Sequence, residues 1–123
     1  MSWNLFLDDE RDPIKTYGQE LGSMMLVARN SDQAEMFVLT NGMPDFIGFD
    51  HDLGEIKTGH YFANWLIEQD LNGTHTFPDN FSFNVHSANP VGAKNIQGVL
   101  DRYLQHKRDC QQILADENFL VYE

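Results

Sequence analysis

Four short apolar runs recur along the chain, and each stops at a polar cluster. Trp3-Asn4-Leu5-Phe6-Leu7 halts at Asp8-Asp9-Glu10-Arg11-Asp12-Pro13. Met24 to Ala28 is the second run. The third, Asp45-Phe46-Ile47-Gly48-Phe49, ends in Asp50-His51-Asp52-Leu53-Gly54. Phe81-Ser82-Phe83-Asn84-Val85 alternates and then meets His86-Ser87-Ala88-Asn89-Pro90. Runs of this length bounded by turn-forming residues predict buried strands. Phe119-Leu120-Val121-Tyr122 reads as a last, fifth strand.

The segments between the runs carry helical spacing. Ile14 to Gly22 is a short helix interrupted by Gly18. Ser31 or Asp32 caps a helix with Ala34, Phe37, Val38 and Asn41 on one face, which Gly42 ends before Pro44. Thr58 caps a helix bearing Phe62, Trp65, Leu66 and Gln69, stopped by Asn72-Gly73. Asn89 before Pro90 is a good helix start, and Ile96, Val99, Leu100, Tyr103 and Leu104 supply that helix with its stripe. Strands separated by helices pair in parallel through right-handed crossovers. The expected fold is therefore one α/β domain over residues 1–123.

In open sheets of this kind a ligand lies at the carboxyl ends of the strands. Three predicted strands end there in chemistry-bearing residues. If strands one and three are neighbours, Asp8, Asp9 and Asp50 converge. Close carboxylates repel unless a cation joins them or one keeps its proton. Hard oxygen donors suit Mg²⁺ or another divalent cation, with Asp52 as a fourth candidate ligand. The alternative is that Asp8 or Asp52 bonds loop N–H groups. His51 and His86 follow strands beside these acids and are candidates for proton transfer with Asp50, or else loop histidines satisfied by the backbone. Ser87, Asn89 and the helix start at Pro90 offer groups that bind anions. Gly92 allows close approach there, and Thr58 is a further candidate for substrate binding. Arg11 either clamps a phosphate or is a solvated loop residue.

Composition narrows the partners. The chain has 123 residues and a net charge of −11, so bulk nucleic acid and anionic lipid are repelled. A phosphate ligand would need local help, although an acidic surface can also serve solubility alone. Cys110 is the only cysteine; it cannot form an internal disulfide, and a reducing, cytoplasmic setting is expected. No signal peptide and no run of about 18 apolar residues is seen.

The blocks Leu5-Phe6-Leu7-Asp8-Asp9-Glu10-Arg11-Asp12-Pro13, Phe49-Asp50-His51-Asp52-Leu53-Gly54, Thr58-Gly59 and His86-Ser87-Ala88-Asn89-Pro90-Val91-Gly92-Ala93, in that order, resemble the cyclic-phosphate processing receiver domain family. The resemblance implies a flavodoxin-like, receiver-like three-layer sandwich with a parallel sheet of four to five strands in the order 2-1-3-4-5. It also implies Asp8 and Asp9 as the metal-binding pair, Asp50 at the phosphoacceptor position and Ser87 at the hydroxyl position. The expected activity is a metal-assisted phosphoesterase acting on a cyclic phosphate, either a 2′,3′-cyclic RNA end or a cyclic nucleotide, in an RNA-repair, signalling or phage setting. Ordinary receivers carry a lysine at the end of strand five, and residues 119–123 contain none. That departure weighs against the first alternative, a regulatory domain phosphorylated on Asp50. The second alternative is a non-catalytic module that binds a nucleotide signal. The final receiver helix is expected to be missing, which would leave one sheet face thinly covered and open to homodimerisation.

Overall fold

The computed structural model describes residues 2–121, with side chains described through residue 115. Four parallel strands, β1 (Asn4–Leu7), β2 (Met25–Ala28), β3 (Phe46–Phe49) and β4 (Ser82–Val85), form one sheet in the order β2-β1-β3-β4. The helices are α1 (Pro13–Tyr17), α2 (Gln19–Gly22), α3 (Ser31–Asn41), α4 (Gly59–Asn72) and α5 (Pro90–Val121). This is the flavodoxin-like order expected for a receiver-like domain, with four strands rather than five among the described residues.

Side chains alternate across each strand. Leu5, Leu7, Ala28, Ile47 and Phe49 point to one face, where they pack with Ala34 and Val38 of α3, Phe62, Ala63 and Leu66 of α4, and Ile96 and Leu100 of α5. These residues are buried to within a few per cent. Asp70 binds α4 to α5, accepting from the Phe77 N–H at 3.0 Å, from Lys107 Nζ at 3.0 Å and from the Tyr103 hydroxyl.

The second face is covered by α1, with α2 packed so closely on it that a side chain at Gly22 would strike the Ile14 and Pro13 backbone. Phe6 is fully buried there against the edge of the Tyr17 ring. At β4 the exposed positions on this face are Ser82 and Asn84. At β4, therefore, the thin cover exposes polar groups rather than an apolar strip.

Two local expectations are corrected. The strand read at residues 119–122 is not formed: residues 119–121 continue α5, and Tyr122 lies outside the described residues. Nothing between Val99 and Val121 is Gly or Pro, so nothing breaks the helix. The cap of α3 is Asn30, whose side chain accepts from the Gln33 N–H, while Ser31 is the first helical residue and donates to Glu35. Thr58 does cap α4, accepting from the Tyr61 N–H. Among the described residues no helix is long and apolar enough to cross a membrane.

Gly59 joins the fold to the strand ends. Its N–H donates to the His51 carbonyl at 2.8 Å, and a Cβ there would lie 2.0 Å from the Asp50 carbonyl oxygen. Only glycine lets α4 begin against the end of β3. Gly59→Ala should lower stability by about 1–3 kcal/mol, the usual range for forced overpacking. Urea unfolding checks this, and an unchanged midpoint would contradict the close packing.

Candidate functional site

The hydrogen-bond ladder runs one residue beyond the strands. Asp8 N–H donates to the Ala28 carbonyl, Asp50 N–H to Leu7, and His86 N–H to Phe49, at 2.8–3.1 Å. Asp8, Asp50 and His86 are thereby fixed at adjacent carboxyl ends, two residues beyond Phe6, Gly48 and Asn84, which pair side by side across the sheet. By alternation the side chains of the five residues other than Gly48 point to the face of α1, where Gly48 leaves the backbone bare.

Asp8 is fully buried and Asp50 nearly so, while Asp9 is exposed. One carboxylate oxygen from each lies within 4.8 Å of the others. The convergence expected from the sequence is therefore present, and a hard, oxygen-seeking divalent cation fits this donor set. Asp52 is placed differently. Its side chain is 63% exposed, and it accepts from His51 Nδ1 at 2.9 Å and faces Asn89 Nδ2 at 3.4 Å. It stands outside the three-carboxylate set.

Asp8 is saturated with donors. Its Oδ1 accepts from the backbone N–H groups of Glu10 and Arg11, both at 2.9 Å. Its Oδ2 accepts from Arg11 Nη1 and His86 Nε2, also at 2.9 Å. Burial alone would raise the Asp8 carboxyl, but these donors outweigh it and hold the group below its usual value. Arg11 Nη1 also reaches Asp50 Oδ2 at 3.5 Å. Burial pushes the Asp50 carboxyl up; a hydrogen bond with Ser87 opposes this and the Asp8 charge adds to it, leaving Asp50 raised.

The two histidines differ. His86 has a side chain only 8% exposed and lies stacked on Phe6 at 5.0 Å. Its Nε2 meets Asp8, and its Nδ1 meets the Tyr17 hydroxyl at 2.7 Å, which also contacts Asn84 Oδ1 at 2.9 Å. Burial lowers the His86 value despite the pull of Asp8. The Tyr17 ring sits over Gly48, where a Cβ would come within 2.6 Å of it. The bare backbone of β3 is what lets rings from α1 and β4 gather beside β1. His51 instead lies against Gly92, where a Cβ would be 2.2 Å from its ring. The close approach foreseen at Gly92 is thus taken by a side chain of the protein itself.

Other predicted groups are partly committed. Asn89 Oδ1 accepts from the Gly92 N–H at 3.0 Å, capping α5, and Ser87 Oγ accepts from the Asn89 N–H at 3.1 Å. The Thr58 hydroxyl is occupied by its cap. Three contributors escaped the sequence reading. Tyr17 lies in a helix too short to show a stripe. Asn84 is two residues before His86 and so on the same strand face. Arg29 follows β2, and its Nη1 donates to the carbonyls of Asp8 at 3.2 Å and Arg11 at 2.6 Å, pinning the acidic loop. Applying the strand-end logic to β2 would have found Arg29.

Beyond these groups an open cleft of about 330 Å³ is lined by Asp9, Glu10, Arg11, Asp50, Asp52, Gly54 and Ala88. The model of the cyclic-phosphate processing receiver domain matches residues 3–102, which takes in every group described. The chain belongs to that family. Five solved chains also match. One is a fusion carrying the yeast Spc42 trimeric coiled coil, amino acids 181–211, with 18% identity, 93% of this chain and 83% of that one covered, and a TM-score of 0.54. At that identity the likeness speaks for the fold alone. No curated protein matches the chain.

The raised Asp50 carboxyl sets the sign of a pH effect. Its protonated form favours the fold fully below the unfolded value near 3.8, and that contribution is lost as pH rises through the higher folded value. In EDTA at pH 7, Asp50→Asn should therefore raise Tm, by about 3 °C for a domain of this size. The gain should fade as pH drops through the raised folded value of Asp50, where the wild-type carboxyl takes up its own proton. A variant no more stable than wild type at pH 7 would contradict the cost assigned to the buried Asp50 charge.

Proposed function

We propose that this domain is a metal-assisted phosphoesterase that opens a cyclic phosphate, such as a 2′,3′-cyclic RNA end or a cyclic nucleotide. The observation that carries this reading is the meeting of Asp8, Asp9 and Asp50 within 4.8 Å, beside an arginine and at the wall of an open cleft. The family's link to cyclic phosphates supports the substrate class.

Asp8, Asp9 and Asp50 would hold Mg²⁺ or another divalent cation, which supplies charge to polarise a phosphate oxygen and to acidify water. The protein's own groups divide the remaining work. His51 has its Nδ1 fixed on Asp52, and its Nε2 has no hydrogen-bond partner among the described residues. An imidazole oriented by a carboxylate with one nitrogen free is equipped to move a proton. His86 has both nitrogens engaged, and it holds Asp8 in place. Arg11, 37% exposed at the cleft, and Ser87 with the first turn of α5 would take phosphate oxygens. In the reaction the oxygen of water bonds to phosphorus and one ring P–O bond breaks. The proton taken from water is matched by one delivered to the leaving oxygen, giving a phosphomonoester.

The test offers 2′,3′-cyclic nucleotides, 3′,5′-cyclic nucleotides and cyclic oligonucleotides with Mg²⁺ and then with EDTA. We expect monoester product with Mg²⁺ from at least one of these, and none with EDTA. His51→Gln should lower kcat by about 10²–10⁴-fold, the usual contribution of a general acid or base. Failure of the folded protein to turn over any of them would overturn the proposal. An acyl phosphate that Asp50→Asn abolishes would then favour the regulatory receiver, and tight binding without turnover would favour a signal-binding module.

A further inference from the structure

Asp8 Oδ2 has two side-chain partners, and they differ in their freedom to leave. His86 is stacked on Phe6, bonded at its far nitrogen to Tyr17 and 8% exposed. Arg11 is 37% exposed at the edge of the cleft. The loop backbone beneath them is fixed: Asp8 Oδ1 takes the N–H groups of Glu10 and Arg11, and Arg29 binds the carbonyls of Asp8 and Arg11. The movable part is the Arg11 side chain.

Its guanidinium also occupies a telling position. The same Nη1 lies 2.9 Å from Asp8 and 3.5 Å from Asp50, so one positive group is shared between two of the three carboxylates that would hold a divalent cation. Two cations cannot share those oxygens without strong repulsion at such distances. We infer that Arg11 is the site's resident counter-cation, which a divalent metal must displace, so that metal entry releases the guanidinium into the cleft. The inference rests on the metal reading given above and deepens it.

Two consequences follow. Before metal binds, Arg11 keeps the carboxylates from driving one another apart. After metal binds, the freed guanidinium is a donor fork for an anion in the same cleft, so phosphate engagement by Arg11 becomes conditional on the metal. Binding of one then favours the other, as linkage requires. Arg11 acts here as a positioning and specificity residue rather than as a permanent clamp.

Mg²⁺ titration calorimetry on the full chain separates the possibilities. Arg11→Gln removes the competitor and should bind Mg²⁺ about tenfold more tightly than wild type, a change of about 1.4 kcal/mol. Arg102→Gln, on the exposed side of α5, makes the same change in net charge and should bind Mg²⁺ as wild type does. In wild type, the Arg11 side-chain N–H signals should shift as Mg²⁺ saturates the site, and this NMR readout decides the matter if Arg11→Gln fails to fold. Unchanged or weaker Mg²⁺ binding by Arg11→Gln would overturn this inference alone. So would equal tightening in both variants, or Arg11 signals that stay still at saturating Mg²⁺. Absence of Mg²⁺ binding in wild type and both variants would overturn the metal reading as well.

Discussion

A carboxylate buried to the last ångström at the end of an inner strand must be paid in donors, and Asp8 receives four. Leaving such a charge without partners would be strongly destabilising. Much of the surrounding structure can be traced to this demand. The loop after β1 turns so that two of its N–H groups point back at Oδ1. Arg29 reaches from β2 to hold the turn's carbonyls, and His86 reaches from β4 to Oδ2. Tyr17 steadies His86, and Gly48 leaves the space in which Tyr17 lies.

Asp8 thereby divides the strand ends into an inner and an outer half. The inner half is aromatic and closed: Phe6, Tyr17 and His86 pack together and serve the carboxylate. The outer half is polar and open, with Asp9, Asp50, Arg11 and Asp52 on the cleft. Two histidines that look equivalent along the chain fall on opposite sides of this boundary. His86 packs within the aromatic half and bonds Asp8. His51, pressed on Gly92 and paired with Asp52, keeps its Nε2 without a hydrogen-bond partner among the described residues. Such a division gives rigid support to one carboxylate while Asp9 stays exposed and Asp50 borders the cleft, and rigid support is a common requirement for a precise site.

The parts of this arrangement that sequence reveals are those set by periodicity. Each of β1 to β4 is a short apolar run cut off by polar residues, so the strands and the convergence of Asp8, Asp9 and Asp50 were legible. So were Thr58 as a cap and the Asn89-Pro90 helix start, because capping is local chemistry. The apolar letters of 119–122 misled, since a short apolar run fits a strand or a helix, and only the absence of a breaker before it tells the two apart. Tyr17 was invisible for another reason: its role depends on a glycine two strands away, a contact that no local pattern encodes. Arg29 stands at the end of β2, within reach of the strand-end logic, but the carbonyls it binds, some twenty residues distant, are set by the fold. The separate fates of Asp52 and of the two histidines are likewise set by packing across the sheet.

The central claim is that the strand-end carboxylates form a cation site. Diffraction from crystals soaked in Mn²⁺, with data collected to use its anomalous signal, tests it most directly. The account predicts a single strong peak bounded by Asp8, Asp9 and Asp50, with the Arg11 guanidinium turned away from Asp8. Anomalous peaks only elsewhere, with Arg11 still bonded to Asp8 and Asp50, would contradict it.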